Sequence, residues 1–141
     1  MQQLDIATVD GYRTYVAAHP QEWTLLDTLC RVTVSRFYRD KMIFAFLARE
    51  VLPVLAAHVQ ARTQKCLRVW SAGSASGEEP YTIILLWAWQ LQRQFPSIGL
   101  EVVATDIDRE LIRRADTACY PYSAIKNLPP TWREKNGTRI E

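Results

Sequence analysis

Apolar residues along this chain recur at helical spacing through the first half and fall into short unbroken runs in the second. Residues 1–20 read as a loop and a short helix ended by Pro20, and Glu22 to Arg31 as a helix carrying Leu25, Leu26 and Leu29. The stretch VTVSRFYRD, with β-branched residues and Ser35, predicts a break, because such residues disfavour a helix interior. Asp40 is suited to cap the next helix. In KMIFAFLAREVL, residues Ile43, Phe44, Leu47 and Val51 keep a helical period. Pro53 is expected to kink or restart that helix before VLAAHVQAR.

From residue 65 the period changes. CLRVW, Cys66 to Trp70, predicts a short strand, and SAGSASG a small-residue turn. EEPYTIILLWAWQLQRQF is apolar on nearly every side and predicts a buried helix, broken by PSIG. LEVVATD predicts a second buried strand ending at Asp106, and Asp108 a cap for RELIRRADTA. The remainder, with three prolines, predicts a loop with short helical turns. Strand, turn, helix, strand is a β-α-β unit. Residues 67–70 and 101–105 should therefore pair in parallel, with 78–94 crossing between them. The fold class is α/β, with a helical segment over 1–64 and the beginning of a Rossmann-like domain over 65–141.

Composition narrows the function classes. The 141 residues suit one modest domain, and 48% apolar with 23% charged residues is a globular mixture. A net charge of +2 gives no argument for nucleic acid. Cys30, Cys66 and Cys119 form no C-x-x-C pair. With His19 and His58 in no metal spacing, no disulfide framework or metal site is expected, and a reduced, cytoplasmic setting is the default. His58 reads as solvated and Cys66 as strand packing. MQQLDIATVD shows no signal peptide pattern, and the longest apolar run, Ile83 to Trp89, is well short of the ~20 residues that span a bilayer, so membrane insertion is not expected.

The candidate chemistry lies beyond the carboxyl ends of the two strands, where ligands of parallel sheets bind. A glycine-rich turn at a helix start commonly receives a pyrophosphate. Here Glu78 and Glu79 follow the turn, and its glycines, Gly73 and Gly77, do not make G-x-G-x-x-G. A phosphate 5 Å from a carboxylate is repelled by roughly 3 kcal/mol at an effective dielectric of about 20. The acidic pair thus counts against a nucleotide-dependent oxidoreductase. S-adenosylmethionine, cationic at sulfur and at its amino group and without phosphate, removes the conflict. Asp106 suits a ribose diol, since one carboxylate accepts from two hydroxyls. The plainer readings are a capping box between Ser76 and Glu79 and a solvated strand end at Asp106.

Three stretches, TVSRFYRD with the downstream VLPVL, RVWSAGSASGEEPY, and ATDID followed by ADTACYPYSAI, resemble the CheR family of chemotaxis receptor methyltransferases, which methylate protein glutamates. The resemblance covers roughly residues 22–130. It implies a Rossmann-like S-adenosylmethionine-dependent methyltransferase fold with a partial parallel sheet, preceded by helices. It also implies that Ala72, Gly73 and their neighbours wrap the methionine part, that Glu79 lies near its amino acid end, and that Asp106 holds the ribose. Thr33, Ser35 and Arg39 match family positions that approach the cofactor. Arg39 is the catalytic candidate, either pairing with the methionine carboxylate or orienting the substrate glutamate; its plainer reading is a surface arginine paired with Asp40 or Glu50. The family usually carries an amide where this chain has Thr33, and Thr where it has Ser35.

A family member would continue through further strands, and would have more helical chain in front. The chain therefore reads as a fragment. The expected function is methyl transfer from S-adenosylmethionine, leaving S-adenosylhomocysteine, to glutamates of a chemoreceptor-type protein. The alternative is a non-catalytic module that binds these cofactors or a partner protein. A two-stranded sheet lacks cover, so a homo-oligomer through the exposed sheet surface is also expected.

Overall fold

The residues before and after Thr33 pack into two separate units, 1–33 and 34–141. The structure, a computed structural model, describes residues 6–30 and 35–135. In the first unit, α1 (Val9–Ala18) starts where Thr8 accepts a hydrogen bond from the Gly11 amide at 3.1 Å. Helix α2 (Gln21–Cys30) follows directly after Pro20.

The second unit opens with α3 (Lys41–Phe46), a wide π-helical turn (Leu47–Val51) and α4 (Leu52–Ala61), which run as one helix, Lys41–Ala61. Pro53 does not end it: α-helical turns resume at Leu52, with Pro53 in their first turn, directly after the wide turn. A proline has no N–H to donate, and its ring crowds the carbonyl four residues back. The wide turn, in which the Leu52 amide donates to the Leu47 carbonyl, absorbs that crowding within the helix. Asp40 occupies the N-cap position, but its side chain makes no capping bond. Phe44, Ala48, Leu52 and Ala56, four residues apart, form the buried stripe. With a mean hydropathy of 1.7, this helix is long and apolar enough to cross a membrane by length and composition, a property hidden from a search for unbroken apolar runs because Arg49 and Glu50 interrupt it.

Strands β1 (Cys66–Ala72) and β2 (Gly99–Thr105) pair in parallel, from Cys66 opposite Gly99 to Ala72 opposite Thr105. Helix α5 (Glu78–Leu86), continued by a second π-helical turn (Trp87–Leu91), crosses between them as expected. The two π turns touch, and α4 packs on β1. Ile83, Leu86, Trp87 and Leu91 meet Leu67 and the α3–α4 stripe in one core. Burying such a side chain contributes about 1.5–3 kcal/mol.

The sheet is covered on one face. Leu67 and Ser71 are buried inward, with Val69, Leu100 and Val102 partly so. Trp70 (71% exposed) and its register partner Val103 (49%) point outward, as do the ion-paired Arg68 and Glu101. The expectation of a buried second strand is thus not met: in Gly99–Thr105 only Leu100 and Val102 are partly buried, because the outward alternation and the strand's ends face solvent. Cys66 is exposed at the strand start rather than packed, because it falls on the outward alternation. His58 is exposed, as its place in the helical period predicts. Asp108 caps α6 (Arg109–Thr117), accepting from the amides of Glu110 and Leu111 at 2.9 and 3.3 Å. A 3₁₀ turn (Tyr122–Ile125) and α7 (Pro130–Lys135) complete the described chain.

Candidate functional site

The Gly73–Gly77 segment follows β1, which takes in Ser71 and Ala72 of the expected turn, and is held at the end of β2. The amides of Gly73 and Ser74 both donate to the Thr105 carbonyl, at 2.8 and 3.0 Å. Ala75 donates to Asp106 Oδ2 at 2.7 Å, and Asp108 donates to the other oxygen, Oδ1, at 2.9 Å. Asp106 is therefore not a plain solvated strand end. Its Oδ2 ties the loop to the end of the second strand, its Oδ1 fixes the turn into Asp108, and each oxygen keeps a further acceptor site.

Small residues make this path possible. Gly73 (φ +71°), Ala75 (+46°) and Gly77 (+94°) all adopt the left-handed region, which disfavours side chains. A Cβ at Gly73 would meet nothing within 4 Å, so open space adjoins the backbone there. A Cβ at Gly77 would come within 2.8 Å of both Ala115 Cβ and Tyr120 Oη. One side of the loop is open and the other is packed.

The two glutamates part at the helix start. Glu78 is buried, 2% exposed, and accepts from Ser76 Oγ at 2.8 Å. Glu79 is exposed and accepts from Ser71 Oγ at 2.7 Å. The capping box between Ser76 and Glu79 does not form, because Gly77, not Ser76, is the N-cap residue and the Ser76 hydroxyl is taken by Glu78. Ser74 Oγ is buried with no hydrogen-bond partner.

The family model described as CheR methyltransferase, SAM binding domain, matches residues 33–139. The chain belongs to the CheR methyltransferase family. It is 34% identical over 107 residues to a chemotaxis protein methyltransferase of Borreliella burgdorferi, covering 74% of this chain and 38% of that one. It is 33% identical over 112 residues to the chemotaxis protein methyltransferase of Escherichia coli, covering 79% and 35%. A probable chemotaxis protein methyltransferase of Rhizobium etli is 30% identical over 138 residues, covering 94% and 50%. The chain thus spans half or less of the length of these relatives.

S-adenosylmethionine is the cofactor of a CheR domain, and the loop fits it. The space beside Gly73 admits a ligand against the backbone, Ser74 offers an unused hydroxyl, and the acidic helix start suits a cation rather than a phosphate.

Ala72, Gly73, Glu79 and Asp106 lie around the carboxyl ends of the two strands, joined by the Ser71–Glu79 and Ala75–Asp106 bonds. Ser35, half-buried, and Arg39, exposed, lie in the segment before α3. That segment is drawn to the first turn of α5, since the Tyr38 amide donates to Thr82 Oγ1 at 3.1 Å and Thr82 donates to the Glu78 carbonyl at 2.6 Å. Thr33 lies outside the described residues. Sequence reasoning passes over Thr82, Ser71, Tyr120 and the burial of Glu78. Among these, the Ser76–Glu78 and Thr82–Glu78 bonds are local in sequence, whereas the bonds of Thr82 to Tyr38 and of Tyr120 to Ser76 each span 44 residues.

Proposed function

We propose that the chain is the cofactor-binding part of an S-adenosylmethionine-dependent methyltransferase that modifies glutamate carboxylates of a chemoreceptor-type protein in the cytoplasm. The observation that carries this reading is the Gly73–Gly77 loop, open beside Gly73, clamped by Asp106 and followed by an acidic rather than basic helix start. When bound, the cofactor supplies a methyl group on a positively charged sulfur, which is already an activated donor. The residues then have to bind, orient and exclude water. Asp106 accepts from the ribose hydroxyls with the lone pairs its two amide partners leave unused. Ala72 and Gly73 line the methionine part. Glu79, with Ser71 on Oε1, offers Oε2 to the ammonium. Ser35 approaches from the segment before α3, Arg39 orients either the methionine carboxylate or the acceptor glutamate, and Thr33 is assigned to the cofactor by its family position alone. Residues 65–141 are the beginning of the Rossmann-like domain in this reading, and 1–64 the helical part before it.

Titration calorimetry with S-adenosylhomocysteine tests the proposal. The parent should bind, and Asp106→Asn should bind roughly tenfold or more weakly, since hydrogen bonds to charged groups contribute about 1.5–3 kcal/mol each. Because Asp106 also clamps the loop, the same pair is compared on the 2′,3′-dideoxyribose analogue. A ribose role predicts that the preference for the hydroxylated ligand shrinks in the variant. An unchanged preference removes Asp106 from the ribose. Methyl transfer to a glutamate-bearing receptor protein separates the enzyme from a cofactor-binding module.

A further inference from the structure

We infer that Tyr120 is a positioning residue for the cofactor loop, setting the peptide plane from which α5 and its acidic pair begin. The inference deepens the methyltransferase reading and rests on it. The Tyr120 hydroxyl donates to the Ser76 carbonyl at 2.6 Å, across 44 residues of sequence. The N–H of the same peptide, on Gly77, donates to the Ser74 carbonyl at 2.9 Å. Both polar ends of the Ser76–Gly77 peptide are thus held, and with them the left-handed φ of +94° that turns the chain into the helix. Glu78 and Glu79 take their directions from that turn.

The phenol is itself fixed. Tyr120 is buried, edge-on to Phe37 at 4.8 Å and to Tyr81 at 5.9 Å between ring centroids. Tyr81 donates to the Ala115 carbonyl at 3.0 Å, so α6 is tied to the same cluster. Gly77 leaves no room for a side chain against Tyr120 and Ala115, which makes the contact one of shape as well as of hydrogen bonding. Burial, then the charges of Glu78 and Tyr81, push the hydroxyl above the usual phenol range, with Arg114 acting in the opposite direction. It therefore stays a donor at neutral pH.

Tyr120→Phe keeps the ring and its packing and removes only the donor, leaving the Ser76 carbonyl unpaired. Its affinity for S-adenosylhomocysteine should fall roughly tenfold. Affinity for 5′-methylthioadenosine, which lacks the amino acid part that the loop wraps, should change much less. Ile125→Ala, a core truncation in the turn after Tyr120, should leave the ratio of the two affinities as in the parent. A cofactor-independent readout accompanies these: amide hydrogen exchange at Gly77 should quicken in Tyr120→Phe and not in Ile125→Ala. Should the parent bind neither ligand, the methyltransferase reading fails while the exchange comparison still decides whether Tyr120 holds the loop. Gly77 protection in Tyr120→Phe equal to that in the parent overturns the inference. So does a ligand-affinity ratio unchanged from the parent's.

Discussion

Gly73 and Gly77 share a left-handed backbone but not their surroundings, and this separates the consequences of adding one methyl group. At Gly77 an alanine meets both the conformational cost of about 1–2 kcal/mol and two atoms within 2.8 Å. Gly77→Ala should lower the unfolding free energy in urea by about 2–4 kcal/mol, including overpacking. Gly73→Ala should cost only the conformational part, about 1–2 kcal/mol, while its Cβ enters the space beside the loop and weakens S-adenosylhomocysteine binding. Equal stability losses in the two variants would contradict the open and packed sides of the loop. Tyr120 supplies a pH signature. Its folded-state ionisation is shifted upward, so its stabilising contribution is complete below the ordinary phenol value of about 10 and is lost as pH rises past it. Unfolding midpoints measured from neutral to alkaline pH should fall less steeply in Tyr120→Phe than in the parent.

At the scale of elements, Thr82 joins two pieces of chain that a local pattern treats separately. Fully buried, it accepts from the Tyr38 amide before α3 and donates to the Glu78 carbonyl in α5. Thr82→Val preserves the shape and strands the Tyr38 N–H without a partner. It should destabilise the chain by about 1–3 kcal/mol, read by chemical denaturation, and loosen the segment that carries Ser35 and Arg39. A valine variant as stable as the parent would show that the contact carries no net stability. The helices themselves are legible in the sequence because their periods are strong, and Asp108 is legible as a cap because capping depends on residues two and three positions away. Pro53 is legible as the place where the helix is disturbed and its α-helical turns begin anew, while the form of the disturbance, a wide turn packed against the matching turn of the α5 helix, is not. The β-α-β unit is legible down to its parallel pairing, since a helical crossover between two short apolar runs admits little else.

At the scale of the whole molecule, the sheet has helices on one face, and Trp70 and Val103 stand together on the other. A second copy of the chain, covering this face or adding to a strand edge, would remove that apolar surface from water. Sedimentation should therefore show association that grows with concentration, and Trp70→Lys should reduce it. A monomer at every concentration would argue against the prediction. The change of period at residue 65 marks where helices give way to strands. The compact units divide instead after Thr33, because the Lys41–Ala61 helix buries its stripe against β1 and α5. A division by element type and a division by packing thus fall at different places in one chain.

The sequence by itself determined the features that depend on neighbours a few residues apart: the helical and strand periods, the small-residue turn, the acidic helix start, and Asp106 at a strand end. Together with the order of its motifs, that pointed to the family. Only the tertiary structure decided which glutamate is buried, that Asp106 holds the loop through Oδ2, and that Tyr120 and Thr82 reach 44 residues back to Ser76 and Tyr38 respectively. Such bonds leave no periodic trace, because their geometry is set by how elements pack and not by the spacing of residues within any one of them.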